Sequence, residues 1–387
     1  MAINVMVVAG ARPNFMKIAP LMRALAQHPD LFEVCLVHTG QHYDVDMSEV
    51  FFRDLEIPTP DINLNVGSDT QAAQTARIMV EFERVILSEQ PQLVIVVGDV
   101  NSTLACSLVA SKLGIKVAHI EAGLRSFDRR MPEEINRVVT DALSDFLFVS
   151  EPSGLQHLQH AADCPGEIFL VGNLMIDTLL SHLPRIHQSE ILKALGLTRD
   201  RYAVVTLHRP SNVDTREALE EIRSLLADVA YHCPLIYPVH PRARAQMRSY
   251  GLLEAFEQMR GLTMIEPLGY IDFIKLVANA RFVMTDSGGL QEETTVLKIP
   301  CLTMRENTER PITITQGTNA LIGWDRAKLL EAVETILAGQ WKAGGIPSYW
   351  DGQAAFRVVQ ILRERLLASS LPRYEVGHGT LREVELS

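Results

Sequence analysis

The stretch INVMVVA, residues 3–9, decides the fold class because it is an almost continuous apolar run. Strands of this kind are buried on both faces, as in parallel sheets covered by helices. A turn follows at residues 10–13, and apolar side chains then recur at helical spacing at Ile18, Leu21, Met22 and Leu25. The sequence therefore predicts that the chain opens with a buried strand, a turn and a helix.

The same alternation continues along the first part of the chain. Strands are predicted at 33–38, 93–97, 115–120 and 146–149, and helices at 69–90, 102–113 and 133–143. Alternating strands and helices imply a doubly wound parallel sheet.

The pattern weakens over residues 173–201, which we interpret as a crossover between domains. It restarts with strands at 202–207, 235–239, 282–285 and 301–304 and ends with a helix at 353–367. We therefore predict an α/β protein with two similar doubly wound domains, residues 1–172 and 173–352, that face each other across a cleft.

The composition restricts the kind of protein. The chain has 387 residues, 47% of them hydrophobic and 21% charged, which suits two domains of ordinary size. The net charge of −11 and the absence of a basic block argue against a nucleic acid partner. Five widely separated cysteines predict buried apolar side chains, with neither a disulfide framework nor a zinc site: Cys35, Cys106, Cys164, Cys233 and Cys301.

The sequence also bears on location. It has no basic segment at its start, and the first apolar stretch is broken at Arg12 and Pro13, so no signal peptide is predicted. No apolar run approaches the roughly 20 residues of a membrane span. We therefore expect a cytoplasmic protein with no membrane partner and no bound metal.

Residues 286–293, DSGGLQEE, form the sharpest phosphate signal. Two glycines open a helix whose first backbone N–H groups and dipole favour an anion, so Ser287, Gly288 and Gly289 could hold a diphosphate. The alternative is an ordinary helix start capped by Ser287 or Asp286. Glu292 or Glu293 could reach a ribose hydroxyl pair or merely complement the dipole.

The first turn, GARPN at residues 10–14, lacks the glycine pattern of a nicotinamide-dinucleotide site. Arg12 and Lys17 instead place positive charge at the start of the first helix. Because cations there oppose the helix dipole, either they bind an anionic ligand or they form a solvated surface pair.

Asp99, Glu121 and Glu133 are carboxylates at or near the ends of predicted elements, where open α/β sheets bind ligands. Carboxylates placed on one sugar carbon could act as acid and base. The alternatives are a helix cap for Asp99 and an ion pair of Glu133 with Arg137.

Two histidines end strands of the second half, and either could donate to a phosphate or carry a proton: His208 and His240. Arg305, Glu309 and Arg310 follow the strand at 301–304. They could close the cleft over an anionic ligand, or form a surface loop of ion pairs.

Nine segments, in this order, resemble the non-hydrolysing UDP-N-acetylglucosamine 2-epimerases: GARPNFMKIAPL, TGQHYD, GDVNSTLA, HIEAGLRSFDRRMPEEINR, VGNLMID, LHRPSN, VHPR, TDSGGLQEE and MRENTERP. The resemblance runs from about residue 3 to residue 365. It implies two Rossmann-like domains arranged as in glycosyltransferases of the B type, with a final helix at about 353–368 crossing back onto the first domain. It also implies a homodimer.

The implied reaction inverts C2 of a UDP-linked N-acetylated amino sugar without a cofactor. UDP is lost by anti elimination, a 2-acetamidoglucal stays bound, and UDP adds back while a proton arrives on the other face of C2. The resemblance assigns catalytic roles to Asp99, Glu121, Glu133 and His208. It assigns UDP binding to Arg12, Lys17, His240, Ser287, Gly288, Gly289 and Glu293.

The chain departs from many relatives at Tyr43 and Pro210, where they carry Arg. In bacterial members these regions help to hold a second, activating UDP-GlcNAc, so activation by substrate is not expected here. The same variant pattern resembles relatives that act on 2,3-diacetamido uronic acid sugars, which is one alternative. A glycosyltransferase of the same fold and a non-catalytic nucleotide-sugar sensor are others.

Overall fold

The computed structural model describes residues 2–40 and 55–370, with all their side chains except those of residues 12, 13 and 368–370. Tyr43 therefore lies outside the described residues, as does the side chain of Arg12. Within the described ranges, no helix is long and apolar enough to cross a membrane.

The first half folds as a seven-stranded parallel sheet in the order β3-β2-β1-β4-β5-β6-β7. Its strands are β1 (Ile3–Ala9), β2 (Phe32–His38), β3 (Ile62–Asn63), β4 (Leu93–Val97), β5 (Lys116–Ala122), β6 (Phe146–Val149) and β7 (Glu167–Leu170). The helices whose bounds fall within the described residues are α1 (Arg12–Leu25), α2 (Gln71–Glu89), α3 (Asn101–Lys112), α4 (Pro132–Leu143) and α5 (Pro152–Gln159). The run LVIVV of β4 is buried along its whole length, as its unbroken apolar character predicts.

Two helices follow before the second sheet: α6 (Leu174–Gln188) and α7 (Ile191–Ala194). The second half is a six-stranded parallel sheet in the order β10-β9-β8-β11-β12-β13. Its strands are β8 (Ala203–Thr206), β9 (Leu235–Pro238), β10 (Leu262–Ile265), β11 (Phe282–Thr285), β12 (Cys301–Thr303) and β13 (Asn319–Leu321). Its helices are α8 (Pro210–Val213), α9 (Arg216–His232), α10 (Pro241–Ser249), α11 (Leu253–Glu257), α12 (Tyr270–Ala278), α13 (Gly288–Leu297), α14 (Ile312–Thr315), α15 (Arg326–Leu337) and α16 (Ala354–Ser370).

The predicted fold class is confirmed, since each half is a doubly wound parallel sheet. The weak pattern over residues 173–201 is no plain crossover, because α6 occupies half of it. Asn173 caps this helix by accepting a hydrogen bond from the Met175 amide at 2.9 Å, and buried apolar residues follow. The boundary at residue 172 stays a prediction, although the two sheets fall on either side of it.

Helix α6 docks on α1 through a proline. Pro20 lies inside α1 and has no N–H, so the carbonyl of Met16 one turn earlier loses its helical partner. The hydroxyl of Thr178 on α6 donates to that carbonyl. The interior proline is therefore compatible with a continuous helix, because a neighbouring side chain satisfies the freed group.

The last helix, α16, packs against α1 and α6 of the first half, and its buried apolar face joins their core. Asp177 of α6 holds its start, accepting hydrogen bonds from the amides of Ala354 at 3.2 Å and Ala355 at 2.7 Å. Burial raises the pKa of Asp177 to about 6. The chain thus returns to its first half after completing the second sheet.

The five cysteines are all free. Cys106, Cys233 and Cys301 are buried, as predicted, whereas Cys35 and Cys164 are only half-buried. Within the described residues, no group of three or more His, Cys, Asp and Glu side chains is arranged to hold a metal ion.

Candidate active site

Among the residues that the structure describes, three ion pairs join the two halves at the carboxyl ends of their strands. Arg310 of the second half lies 3.6 Å from Glu121, and Glu309 lies 3.5 Å from Arg137 of α4. Further out, the guanidinium of Arg209 lies 3.8 Å from the Glu133 carboxylate. The halves therefore meet where the sequence predicts the chemistry, with charged groups from both sides facing each other.

Glu121 is held in an uncommon backbone conformation. Its φ is +69°, and the register between β5 and β6 shifts beside it, between Ile120 and Ala122. A non-glycine residue in this region is strained, which is typical of functional sites. The carboxylate is buried and forms an ion pair with Lys17 of α1, so the alternative of a solvated surface pair is wrong for Lys17.

Asn14 fixes the loop that precedes Lys17. Its side-chain oxygen accepts hydrogen bonds from the Gly10 and Ala11 amides, both at 3.0 Å. Its side-chain amide donates to the carbonyl of Val97, the last residue of β4, at 2.9 Å. The first turn is thus tied to the strand that leads to Asp99, and it serves as a rigid support for the site.

Asp99 follows β4 and faces Arg137, whose guanidinium lies 3.3 Å from its carboxylate. Arg137 also lies 3.2 Å from Glu134, and Glu133 pairs with Arg209 across the cleft. The alternative of a Glu133–Arg137 ion pair is therefore wrong. The alternative of Asp99 as a helix cap is also wrong, because the residue at the cap of α3 is Val100.

The start of α13 combines a free helix end with close packing. Ser287 occupies the cap position, but its side chain makes no capping hydrogen bond. The alternative of an ordinary helix start capped by a side chain is therefore wrong. A Cβ atom at Gly288 would lie 2.6 Å from the Arg310 guanidinium, and one at Gly289 would lie 2.3 Å from the Met175 methyl group. The glycines thus let Arg310 and α6 approach the helix end, where backbone N–H groups favour an anion.

Asp286 turns away from the helix and organises the residues after β8. Its carboxylate accepts hydrogen bonds from the amides of His208 at 2.9 Å and Arg209 at 2.8 Å, and from the Asn212 side chain at 2.9 Å. The His208 ring nitrogen Nδ1 also lies 2.8 Å from Asp286. Burial opposes ionisation of Asp286, but the hydrogen bonds from His208 and Arg209 outweigh it and lower its pKa.

The two predicted histidines lie side by side. The rings of His208 and His240 are tilted, with their centroids 5.4 Å apart. His240 caps α10 by accepting from the Arg242 amide at 3.2 Å. Because Asp286 holds Nδ1 of the partly exposed His208, the other ring nitrogen is the one that can meet a ligand.

Arg305, Glu309 and Arg310 are buried, so the alternative of a surface ion-pair loop is wrong. Glu309 accepts hydrogen bonds from Arg305 at 2.8 and 3.1 Å. Burial opposes ionisation of Glu309, yet the charge and hydrogen bonds of Arg305 lower its pKa. Arg310 donates to Glu292 at 2.7 Å, and burial raises the pKa of Glu292. This loop brings two cations to the cleft, each matched by buried carboxylates.

Glu293, the second glutamate of the helix, is buried next to Tyr270, whose hydroxyl donates to it at 3.0 Å. Burial raises the pKa of Glu293 to about 8, although the tyrosine hydrogen bond opposes the shift. The carboxyl group is therefore enclosed by protein and held by Tyr270.

Sequence reasoning missed Glu151, which follows β6 at the same edge of the sheet. Its side chain is buried, and burial raises its pKa to about 7. One of its carboxylate oxygens has no hydrogen-bond partner among the described residues. The signal was present, because the run FLFVSE ends a buried strand with a carboxylate just as the β4 and β5 segments do.

Glu293→Gln is expected to stabilise the protein at alkaline pH. The pKa of Glu293 is higher in the folded chain, about 8, than the 4.5 of a free glutamate, so folding takes up a proton between these values. Stability then falls as pH rises through that window. Replacing the ionisable group by an amide should raise the free energy of unfolding by roughly 2–4 kcal/mol at pH 9 and change it little near pH 4.5.

Thermal unfolding of Glu293→Gln and wild type at both pH values measures this difference. Glu331→Gln, at an exposed position on α15, is the matched control and should show no such gain. Equal melting temperatures of Glu293→Gln and wild type at pH 9 would contradict the predicted burial of an ionisable group.

The fold and the site define a protein of glycosyltransferase-B-like architecture, with two Rossmann-like domains around one charged cleft. The sucrose-phosphate synthase of Thermosynechococcus elongatus has this fold, with a TM-score of 0.60 at 14% identity. A family model described as UDP-N-acetylglucosamine 2-epimerase matches residues 23–363. The chain belongs to the UDP-N-acetylglucosamine 2-epimerase family, a family of isomerases, as the nine segments indicate.

Two relatives illustrate the match. The UDP-N-acetylglucosamine 2-epimerase of Methanocaldococcus jannaschii is 40% identical over 363 residues, covering 92% of this chain and 98% of the relative. Its crystal structure in complex with UDP-GlcNAc and UDP has a TM-score of 0.86 and covers 94% of this chain and 100% of that one. A UDP-2,3-diacetamido-2,3-dideoxy-D-glucuronate 2-epimerase of Pseudomonas aeruginosa is 39% identical over 363 residues, 93% of this chain and 99% of the relative.

Proposed function

We propose that the chain interconverts UDP-N-acetylglucosamine and UDP-N-acetylmannosamine by anti elimination and re-addition of UDP. One observation carries the proposal. The Arg310 guanidinium lies between the first turn of α13, which favours an anion, and the carboxylate of Glu121, 3.6 Å away. A diphosphate at the helix start would therefore have its sugar directed towards the carboxylates of the first half.

The reaction needs a base and an acid at C2 of the sugar. In the forward step a carboxylate removes the C2 proton, the C–H electrons form a C1–C2 double bond, and the C1–O bond breaks with its electrons leaving on UDP. In the return step UDP adds to C1 and C2 is protonated on its other face. Asp99, Glu121 and Glu133 supply the carboxylates, and the division of acid and base among them stays open.

UDP leaves as an anion, so positive charge and N–H donors that meet it stabilise the bond cleavage. We assign this work to the α13 start with Ser287, Gly288 and Gly289, to Lys17, and to Arg12 by resemblance. His208 faces the same cleft and completes the catalytic set. Glu293 and His240 are assigned to the nucleotide by resemblance, with Glu293 assigned to the ribose.

Incubation with UDP-GlcNAc in D2O tests the proposal. NMR of the sugar should show conversion to UDP-ManNAc, with solvent deuterium at C2 of the product and no added metal or nucleotide cofactor. Epimerisation without exchange at C2 would contradict the elimination mechanism. Transfer of the sugar to an added acceptor would favour the glycosyltransferase alternative, and binding without turnover would favour the sensor.

A second substrate is favoured by the relative from Pseudomonas aeruginosa, whose name specifies a UDP-2,3-diacetamido uronic acid sugar and whose identity of 39% is close to the 40% of the archaeal relative. Measuring kcat/KM for both UDP-sugars under the same conditions decides between them. We expect the higher value with UDP-GlcNAc. A higher kcat/KM with the diacetamido uronate would indicate that this sugar, and not UDP-GlcNAc, is the preferred substrate.

We also propose a homodimer formed through α2 and α4. Their outer faces carry apolar side chains that are between 36% and 58% exposed: Val80, Leu87, Ile135 and Val138. A shallow depression of about 370 Å³ lies between the same helices. Apolar faces of this kind are typical of protein interfaces.

Ile135→Glu is therefore expected to convert the dimer to a monomer, because it introduces charge into that apolar face, where Ile135 lines the depression. Light scattering after size exclusion measures the mass. Tyr231→Glu is the control, since Tyr231 is 88% exposed on α9 of the other half and should leave the dimer intact. A monomeric wild type would contradict the proposal.

A further inference from the structure

A buried histidine lies between the two strand ends that carry Asp99 and Glu121. His119 belongs to β5 and is completely buried. Its Nδ1 atom lies 2.7 Å from a carboxylate oxygen of Asp141 on α4. Its Nε2 atom lies 2.8 Å from the carbonyl oxygen of Gly98, the residue before Asp99. The ring thus bridges a helix and the turn that presents a catalytic carboxylate.

The hydrogen-bond chemistry fixes the direction of one of these contacts. A carbonyl oxygen can only accept, so Nε2 carries the proton and donates to Gly98. The second oxygen of Asp141 accepts from the Gly123 amide at 3.1 Å and faces the Arg125 guanidinium at 2.6 Å. Asp141 therefore joins His119 to the turn that follows Glu121.

The turn at Glu121 needs such support because a non-glycine residue in the left-handed region is strained, whereas Gly98 adopts the same conformation freely. Gly98 has a φ of +71° and Glu121 a φ of +69°, and the Gly98 amide donates to the Ile120 carbonyl at 3.0 Å. A strained residue keeps its conformation only where its surroundings fix it. The contacts of His119 and Asp141 fall on both sides of the two carboxylates, at Gly98 and Gly123.

We propose that His119, with Asp141, is a positioning residue that sets the separation of the Asp99 and Glu121 carboxylates. It touches neither substrate nor reacting atoms. It holds the Gly98 carbonyl from one side, while Asp141 holds the Gly123 amide from the other. The inference rests on the proposed function, because the separation of the two carboxylates matters only if both act on one sugar carbon.

Two substitutions distinguish positioning from simple packing. His119→Gln keeps an amide N–H that can donate to the Gly98 carbonyl, whereas His119→Phe fills the space without any donor. Positioning predicts a kcat loss of roughly 10- to 100-fold for His119→Phe and a clearly smaller loss for His119→Gln, because small misplacements of reacting groups are costly. A packing role predicts the opposite order, since the apolar ring suits a buried site.

The dissociation constant for UDP is measured beside kcat. It should change less than about twofold in both variants, because the nucleotide is assigned mainly to the second half. His232→Gln, at an exposed position at the end of α9, is the control and should change neither quantity. A folded His119→Phe protein with full kcat, or one that outperforms His119→Gln, would overturn the inference.

An NMR measurement on the unmodified protein covers the case in which the variants fail to fold. In protein labelled with ¹⁵N-histidine, the ring Nε2 of His119 should carry a slowly exchanging proton, because it is buried and hydrogen-bonded. Its absence would overturn the inference. This result does not depend on turnover, so an inactive wild type would contradict the proposed function while the NMR signal still tests the contacts of His119.

Discussion

Asp99→Asn is expected to lower kcat for epimerisation by about 10²-fold or more, while the affinity for UDP stays nearly unchanged. The amide occupies the same space but can no longer exchange a proton with the sugar, and this is the scale on which acid–base groups contribute. The fold should persist, because Arg137 keeps two further carboxylate partners, Glu134 at 3.2 Å and Glu309 at 3.5 Å.

Rate measurements with UDP-GlcNAc, together with UDP binding by calorimetry, test this expectation. Asp200→Asn is the matched control, because Asp200 forms an exposed ion pair with Arg281 at 2.7 Å and should leave kcat unchanged. A normal rate for Asp99→Asn would remove Asp99 from the catalytic set. A parallel loss of UDP affinity would instead indicate that the substitution disturbs the cleft as a whole.

The elements that sequence predicted well are those whose local pattern agrees with their surroundings. The apolar run of β4 is buried on both faces of its sheet, so its composition alone predicts it. The two glycines that open α13 likewise predict a helix start that is closely packed, and Arg310 and Met175 do approach it closely. In both cases a few neighbouring residues contain the information.

The helix α6 shows why other elements were not predicted. Its buried residues face α1, α16 and the second half at once, and the interior Pro184 argues locally against a continuous helix. Tertiary contacts with elements far along the chain stabilise it. A local periodicity cannot report such contacts.

The pairing of charges in the site was also beyond local reasoning. The local alternative pairs Arg137 with Glu133, four residues before it, but the structure pairs Arg137 with Asp99 and with Glu309, which is 172 residues away. The sequence does locate the carboxylates, because open α/β sheets bind ligands at the carboxyl ends of their strands and the fold class is predictable. The choice of partner depends on how the two halves meet, which the sequence pattern does not contain.

Arg310 offers the largest expected effect on stability. Its guanidinium is buried and faces three carboxylates: Glu292 at 2.7 Å, Glu121 at 3.6 Å and Glu309 at 3.6 Å. Removing the cation leaves these charges in a site with little water. Breaking a buried ion pair in this way costs about 3–5 kcal/mol.

We therefore expect Arg310→Met to lower the free energy of unfolding by roughly that amount in urea titrations at pH 7.5. Arg326→Met is the control, because Arg326 is exposed, pairs with Asp228 at 2.5 Å on the surface and should cost at most about 1 kcal/mol. Equal effects of the two substitutions would contradict the expectation that the buried contacts of Arg310 with three carboxylates stabilise the fold.

The double variant Arg310→Met with Glu292→Gln tests the cause of that loss. If the instability comes from unpaired carboxylates, neutralising Glu292 should recover part of it, and the two substitutions should be non-additive. If it comes only from lost packing, Glu292→Gln should add nothing favourable. Glu292 is the carboxylate that depends most on Arg310, because Lys17 still pairs with Glu121 and Arg305 with Glu309. Recovery is expected to be partial, because the packing of the guanidinium is still lost.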